Sequence, residues 1–265
     1  MLLSRSTLVG YDFLIMNGFK NPSKLIFYLL LVITSIYLAN FPSALGDNFG
    51  VYSENESPLG TTFEDWLAKW WNWSYSIGID PETNTWAGLK DNGCLIHKEN
   101  STVMLVDTAA GGKWTQSCKI SHNDGILIPI WTGECNNAEK ECETHSFEEL
   151  KKAARGFDLG KVKGEVKVDN IPIAKLDVVD YTTNIIENVS EIYTKEFNAT
   201  IPESGHIPTE KSGIFPAAAH GWFVFLKPLP IGDHTISYKN TVEPTSLSGA
   251  GNINSGEFTY NMKVE

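Results

Sequence analysis

The 265-residue chain is 42% hydrophobic and 20% charged, with 21 basic and 32 acidic residues and a net charge of −11. That length holds one large domain or two small ones, with a sizeable core either way. A surface this acidic repels nucleic-acid phosphates and anionic lipid heads, which argues against both as direct partners; it also serves simply to keep an exported protein soluble.

Residues 25–41, LIFYLLLVITSIYLANF, are the only long apolar run in the sequence. Lys20 and Lys24 precede it, and Pro42 and the small-residue stretch Ser43-Ala44-Leu45-Gly46 follow. This is the layout of a signal peptide over residues 1–46, with cleavage after Gly46. At about 17 residues the run also sits at the low edge for spanning a bilayer, so an uncleaved N-terminal membrane anchor is the alternative. Met16 offers a second start with a compact basic region ahead of the apolar run. The remaining part, 47–265, keeps 18 of the 21 basic and 31 of the 32 acidic residues, a net of −13.

Residues 47–60 are polar and rich in Gly, Ser and Asn, which predicts a linker. Thr61-x-x-Glu64 forms a capping box before an apolar series at helical spacing: Phe63, Trp66, Leu67, Trp70, Ser74 and Ile77 fall within one arc of about 100°. The pattern predicts an amphipathic, Trp-rich helix over 61–77 that stops at Gly78. Beyond it the period shortens. Runs at 94–97, 102–107, 114–120 and 126–131 read as strands, with Gly111-Gly112 and Asn123-Asp124-Gly125 as hairpin turns. Ser146-x-x-Glu149 is a second capping box, opening a helix to about Arg155. Strands follow at 162–168 and 171–179, joined by an Asp169-Asn170 turn, and at 192–197. A Pro-Leu-Pro-Ile-Gly-Asp turn joins 222–227 to 234–239 as a hairpin, and 257–264 alternates Phe258, Tyr260, Met262 and Val264 on one face. Many short strands, two helices and no βαβ alternation predict a mainly β protein, an antiparallel β-sandwich of jelly-roll or Ig-like type over 61–265. The alternative splits the chain near residue 158, with a second sandwich beyond.

All four cysteines, Cys94, Cys118, Cys135 and Cys142, follow the leader. An even number in an exported chain reads as two disulfides, and proximity along the chain favours Cys94–Cys118 and Cys135–Cys142. Short C-x-x-C spacings for a metal are absent, and a copper site of Cys, His and Met type would leave an odd thiol, so no metal is assigned. Sequons at Asn72, Asn100, Asn188 and Asn198, with a weaker one at Asn55, fit an exported glycoprotein. Address and chemistry together point to a secreted or extracytoplasmic surface protein, possible contact with a membrane being confined to its N-terminal segment.

Two features carry functional expectations. Trp71 and Trp73 flank the apolar stripe of the first helix; there an exposed indole face serves as a stacking platform for a sugar, whereas a covered one is core edge. Glu134 ends the apolar strand ILIPIW beside Cys135, where a carboxylate is held rigidly for acid–base hydrolysis, with Asp107 or Glu64 as partner; otherwise it bonds to its own turn. The six histidines are scattered, and no G-x-S-x-G, P-loop or G-x-G-x-x-G occurs, so no cofactor is assigned and esterase-type or nucleotide-dependent chemistry has no support. A non-catalytic surface or envelope protein with a carbohydrate or envelope ligand is thus the expectation, and a secreted hydrolase using Glu134 the alternative.

The segment Glu64-Asp-Trp66-x-x-Lys69-Trp70-Trp71-x-Trp73, with Cys94, Gly111-Gly112, Cys118, Pro129, Glu134-Cys135 and Gly221-Trp-Phe-Val-Phe-Leu-Lys-Pro-Leu-Pro-x-Gly-Asp-His234, resembles a family of exported archaeal and bacterial proteins of unknown function. The resemblance runs over most of residues 58–264. It implies export and a single domain, and brings no catalytic residue with it.

Overall fold

The computed structural model describes residues 49–265 apart from 83–84, 157–159, 180–181, 207–208, 210 and 245–253. The leader expected over 1–46, with its apolar run, lies outside the described residues; among those described, no helix is long and apolar enough to cross a membrane. Residues 49–60 do not form a free linker. Tyr52 N–H donates to Phe225 O at 2.8 Å, Val51 bridges Leu226, and a 3-10 turn at Pro58–Gly60 presents Pro58 O to the Trp66 indole N–H at 3.0 Å. Residues 49–60 thus belong to the compact unit Phe49–Glu265.

Helix α1, Phe63–Ser76, starts one residue later than the capping box suggests: Thr62, not Thr61, is the N-cap, its hydroxyl accepting from Asp65 N–H. Helix α2, Phe147–Gly156, opens on Ser146, whose N–H and hydroxyl both donate to Glu149 Oε2 at 2.8 and 2.7 Å. The strands, in chain order, are β1 (Ile79–Asp80), β2 (Thr85–Trp86), β3 (His97–Glu99), β4 (Thr102–Met104), β5 (Gly112–Ile120), β6 (Gly125–Asn136), β7 (Gly160–Val168), β8 (Ile171–Val179), β9 (Thr182–Glu187), β10 (Ser190–Tyr193), β11 (Phe197–Ile201), β12 (Gly213–Leu226), β13 (Gly232–Pro244) and β14 (Asn254–Val264).

Apart from the short β1–β2 pair they form two six-stranded sheets, making the predicted mainly β, sandwich-like architecture. The first runs β10-β12-β6-β4-β3, with β11 also on β12; the second runs β5-β14-β13-β7-β8-β9. Pairing is antiparallel except at β4–β6 and β5–β14. Strands from both halves of the chain interleave in both sheets, so a split near residue 158 does not occur.

The Asp169-Asn170 turn joins β7 to β8 as predicted, both residues having the positive φ (51° and 65°) that a two-residue hairpin needs. Three other predicted hairpins are connections between sheets. Gly111-Gly112, Asn123-Asp124-Gly125 and the Pro228–Asp233 turn each link a strand of one sheet to a strand of the other. The reason lies in β12: residues 217–226 are buried throughout, apolar on both faces apart from His220, and require a central place with cover on each side. Pro228 and Pro230 offer no N–H to extend a ladder, and the chain crosses over.

One face of the first sheet packs on the second sheet through Ile126, Ile128, Trp222 and Val224 against Val166, Ile236, Phe258 and Tyr260. The sheets come so close at Gly164 that a Cβ there would lie 2.3 Å from Ile130 Cγ2. The opposite face of the first sheet takes α1, through Trp66, Trp70, Phe223 and Phe225. The Cys135–Cys142 disulfide, Ala218, Leu150 and Ala154 make a third cluster under α2.

Both disulfides have the pairing that proximity favours, Cys94–Cys118 and Cys135–Cys142. The first ties the loop before β3 to β5 across 24 residues of chain. Loop-closure entropy for that length is worth about 3 kcal/mol. The double substitution Cys94→Ser/Cys118→Ser should lower Tm by roughly 6–12 °C in a domain of this size; a change under 2 °C by calorimetry would show that the loop is held by its other contacts.

Candidate functional site

Beneath the C-terminal end of α1, the first sheet carries a cluster of polar side chains in an otherwise apolar layer. Strand β6 alternates its faces, so Glu134 and Asn136 point toward the helix while Cys135 points toward α2. Asn136 Nδ2 donates to Glu139 Oε1 at 2.7 Å and approaches Glu134 Oε2 and Tyr75 Oη at 3.3 Å each. Asn136 Oδ1 is fixed by Ala138 N–H at 2.8 Å, which sets the amide's orientation. Tyr75 comes from the last turn of α1 and is fully covered.

Glu134 is 6% exposed. Burial pushes its carboxyl well above the ordinary glutamate range, and the charge of Glu139 adds to the effect; the Tyr75 hydroxyl and Asn136 amide offset part of it. Glu139 is half-buried and likewise raised by burial. Tyr75 is raised by burial and then by Glu134. Two carboxyls sharing one site cannot both ionise cheaply, and the penalty falls most on Glu134, the more deeply buried of the two. Glu134 Oε1 meets no donor in hydrogen-bonding geometry.

The carboxyl partner of Glu134 is thus Glu139, which sits in the loop closed by the Cys135–Cys142 disulfide. Neither partner suggested by the sequence takes part. Glu64 stands in the first turn of α1, eleven residues and about 16 Å of helix from Tyr75. Asp107 is buried elsewhere, accepting from the Thr108 hydroxyl at 3.2 Å and facing Tyr238. Gly111-Gly112 leads into β5 of the second sheet, whereas Glu134 lies on β6 of the first and Glu139 in the loop after it.

Of the two tryptophans, Trp71 is covered and Trp73 is left half-buried. Trp71 is 9% exposed, its ring held edge-on by Trp70 at 5.2 Å and against Tyr75 at 5.6 Å. It sits just outside the apolar stripe, but the layer beneath extends far enough to cover it. Trp73 is half-buried and stacks on His97 at 5.7 Å, so one indole face is taken.

Two histidine arrangements were not visible in the sequence. His206 Nδ1 lies 3.0 Å from Ile77 O and its Nε2 3.4 Å from Ser74 Oγ, with the ring packed on Trp86. Since a carbonyl only accepts, Nδ1 carries the proton and Nε2 accepts from Ser74. Burial holds His206 below its ordinary value. Ser74 is fully buried, which removes it as a nucleophile for an outside substrate. His220, fully buried, contacts Glu191 at 3.0 Å, and hydrogen bonding to His220 holds Glu191 below the usual carboxylate range.

Among the sequons, Asn72 is used inside the fold. Its Oδ1 accepts from Thr200 N–H at 2.8 Å and its Nδ2 donates to Asn198 O at 3.2 Å, so one amide pairs with the outer edge of β11. Asn72→Ala should cost about 1–2 kcal/mol for the two lost bonds, read as a shift in urea midpoint; an unchanged midpoint would mean water replaces the amide at no cost. Asn188 Nδ2 is bound to Ile173 O at 2.7 Å, whereas the Asn100 and Asn198 side chains are exposed.

No family model and no curated protein matches the chain. Among solved structures, a cysteine protease inhibitor from Entamoeba histolytica is similar at 14% identity over 60% of this chain and 94% of that one, with a TM-score of 0.22. Amebosin is similar at 13% identity over 58% and 96%, with a TM-score of 0.18. Overlap this slight carries no argument about fold or function.

Proposed function

We propose that the chain is an exported, disulfide-braced surface or envelope domain that binds carbohydrate and does not catalyse a reaction. The observation carrying this is where the polar chemistry lies. The Glu134 carboxyl is buried beside Tyr75, while two hollows open on the outer face of the second sheet, lined by Lys, Ser, Thr, Asn and carboxylate side chains. Both disulfides and the signal-peptide layout of residues 1–46 support an oxidising, extracytoplasmic address, and the resemblance to exported proteins agrees with it. Fractionation of cells producing the full chain, with thiol titration, tests the address: recovery outside the cytoplasm with no free thiol supports it, and four free thiols in a cytoplasmic fraction overturn it. A panel of soluble polysaccharides, with retention measured by affinity electrophoresis, tests the ligand class.

The Glu134–Glu139 pair favours one other function, a secreted hydrolase in which the half-buried Glu139 meets substrate and Glu134 stores the proton. Release of reducing ends from that panel, lost more than a hundredfold in both Glu134→Gln and Glu139→Gln, would establish it. No turnover on any member removes it.

A further inference from the structure

We infer that the hollow across β5, β14 and β13 is a binding site for an acidic polysaccharide, with Lys119 and Lys263 receiving a carboxylate or sulfate of the sugar chain. This rests on the function proposed above and gives it a surface and a ligand class. Cys118, Ile120, Met262 and Val264 are buried between the sheets, so the alternating residues Ser117, Lys119, Asn261 and Lys263 face outward. The pairing register places Lys263 directly beside Lys119, and Asn261 beside Ser117. On the other side of β14, Lys263 faces Asp233 and Asn261 faces Thr235.

The lysine pair is the unusual element. Neighbouring strands stand about 5 Å apart, and like charges opposite one another destabilise a sheet. Elsewhere on this face the charges are matched: Lys113 pairs with Glu257 at 3.0 Å, and Lys167 and Lys239 both reach Glu165, at 3.2 and 3.4 Å. The hollow over those residues is charge-balanced and small, about 100 Å³. The Lys119–Lys263 hollow is about 380 Å³, room for a sugar ring. Lys263 forms no ion pair among the described residues, and the nearest carboxylate to Lys119, on exposed Glu265, is 3.9 Å away. The two ammonium groups thus stand side by side with one loose ion pair, Lys119–Glu265, and with Asp233 across the ladder from Lys263, on a chain whose part beyond the leader is strongly acidic.

The neighbours of the pair choose the class of anion. Ser117, Asn261 and Thr235 form a row of short hydroxyl and amide groups beside the two ammonium groups, which matches ring hydroxyls next to a carboxylate. His234 is the aromatic ring among the lining residues, and at 12% side-chain exposure it offers little face to stack on a nucleobase. Duplex DNA also carries a charge every 1.7 Å or so, and most of those would meet the acidic remainder of the surface. An acidic polysaccharide brings at most about one such group per ring, and its other contacts are neutral hydroxyls.

The test is affinity electrophoresis of the full chain in gels containing polygalacturonate, with the methyl-esterified polymer as the uncharged counterpart. Retardation by the acidic polymer only, weakening as salt is raised, is expected. Lys119→Glu/Lys263→Glu should weaken it at least tenfold, and Lys151→Glu/Lys152→Glu, on α2, should leave it within twofold. Far-UV circular dichroism and the urea midpoint establish that each variant is folded. Absence of retardation, equal loss in both double variants, or equal retardation by duplex DNA or phosphatidylserine vesicles overturns the site. Retention by a neutral polysaccharide that the Lys119/Lys263 substitutions leave unchanged overturns the site alone, leaving carbohydrate binding intact. Failure of the whole panel, neutral and acidic, removes both.

Discussion

Trp70→Ala should cost about 3–5 kcal/mol of folding free energy, the range for deleting a large buried ring from a core. Trp70 is 1% exposed and stands where α1 meets the first sheet. Its ring meets Trp71 at 5.2 Å and both Trp73 and Phe223 at 6.3 Å, all edge-on, so its removal leaves three aromatic neighbours without their central contact. Its indole N–H also donates to Leu105 O at 2.9 Å. That carbonyl lies in a buried segment, and losing its partner adds a desolvation cost to the cavity. Trp70→Phe keeps most of the volume and loses the hydrogen bond, which separates the two contributions; about 1–2 kcal/mol is expected for it. Urea denaturation followed by far-UV circular dichroism reads both. A Trp70→Ala loss below 1 kcal/mol would mean that α1 is held chiefly by its ends, through the Trp66–Pro58 and Asn72–β11 contacts.

Helix α1 was legible because six residues at helical spacing leave only one way to bury an apolar stripe, and the Asp169-Asn170 hairpin because two consecutive residues suited to positive φ define that turn. Most strand positions were legible for the same local reason, but the short β1 and β2 and the strands β9 and β11 were not read, and the run at 192–197 falls across the end of β10 and the start of β11. Which sheet each strand enters was not. Turn chemistry at Gly111-Gly112, Asn123–Gly125 and Pro228–Asp233 says that the chain reverses, and the same reversal serves a hairpin or a passage between sheets. The deciding fact is that β12 is apolar on both faces and must lie centrally, a demand visible only when its neighbours are counted. The site divides in the same way. Glu134 stood out by its place at a strand end beside a cysteine. Glu139, in a polar loop, acquires meaning only when Asn136 gathers both carboxyls and α1 lays Tyr75 across them. Trp71, at the flank of the stripe, was equally consistent with exposure or cover, and the width of the layer under it decided the matter. Lys119 and Lys263 belong to strands 144 residues apart in sequence, and only the parallel register sets them side by side.

Glu134→Gln should stabilise the protein at pH 7–8 and leave it nearly unchanged near pH 4. Folded Glu134 binds its proton more tightly than the same side chain in the unfolded chain, because burial and the neighbouring Glu139 both disfavour its charge. Folding therefore takes up a proton between the ordinary glutamate value and the raised folded one. Across that window the native state binds more protons than the unfolded state, and stability falls as pH rises. Below it the carboxyl is neutral in both states and the wild type loses nothing. Above it the loss is complete and constant. Glutamine has no charge to bury, keeps an oxygen for Asn136 and supplies an N–H toward Glu139. It should recover on the order of 1–3 kcal/mol at neutral pH, the range for relieving an imperfectly satisfied buried polar group. Glu134→Ala distinguishes this from a packing effect, since it removes the charge but leaves a gap under Tyr75 and takes away one of the acceptors around the Asn136 amide, and should destabilise at every pH. The measurement is the urea midpoint of the three proteins from pH 4 to pH 8. Parallel curves for wild type and Glu134→Gln would show that the carboxyl keeps its ordinary proton affinity in the fold, and the buried carboxyl pair would then be no store of protons for hydrolysis.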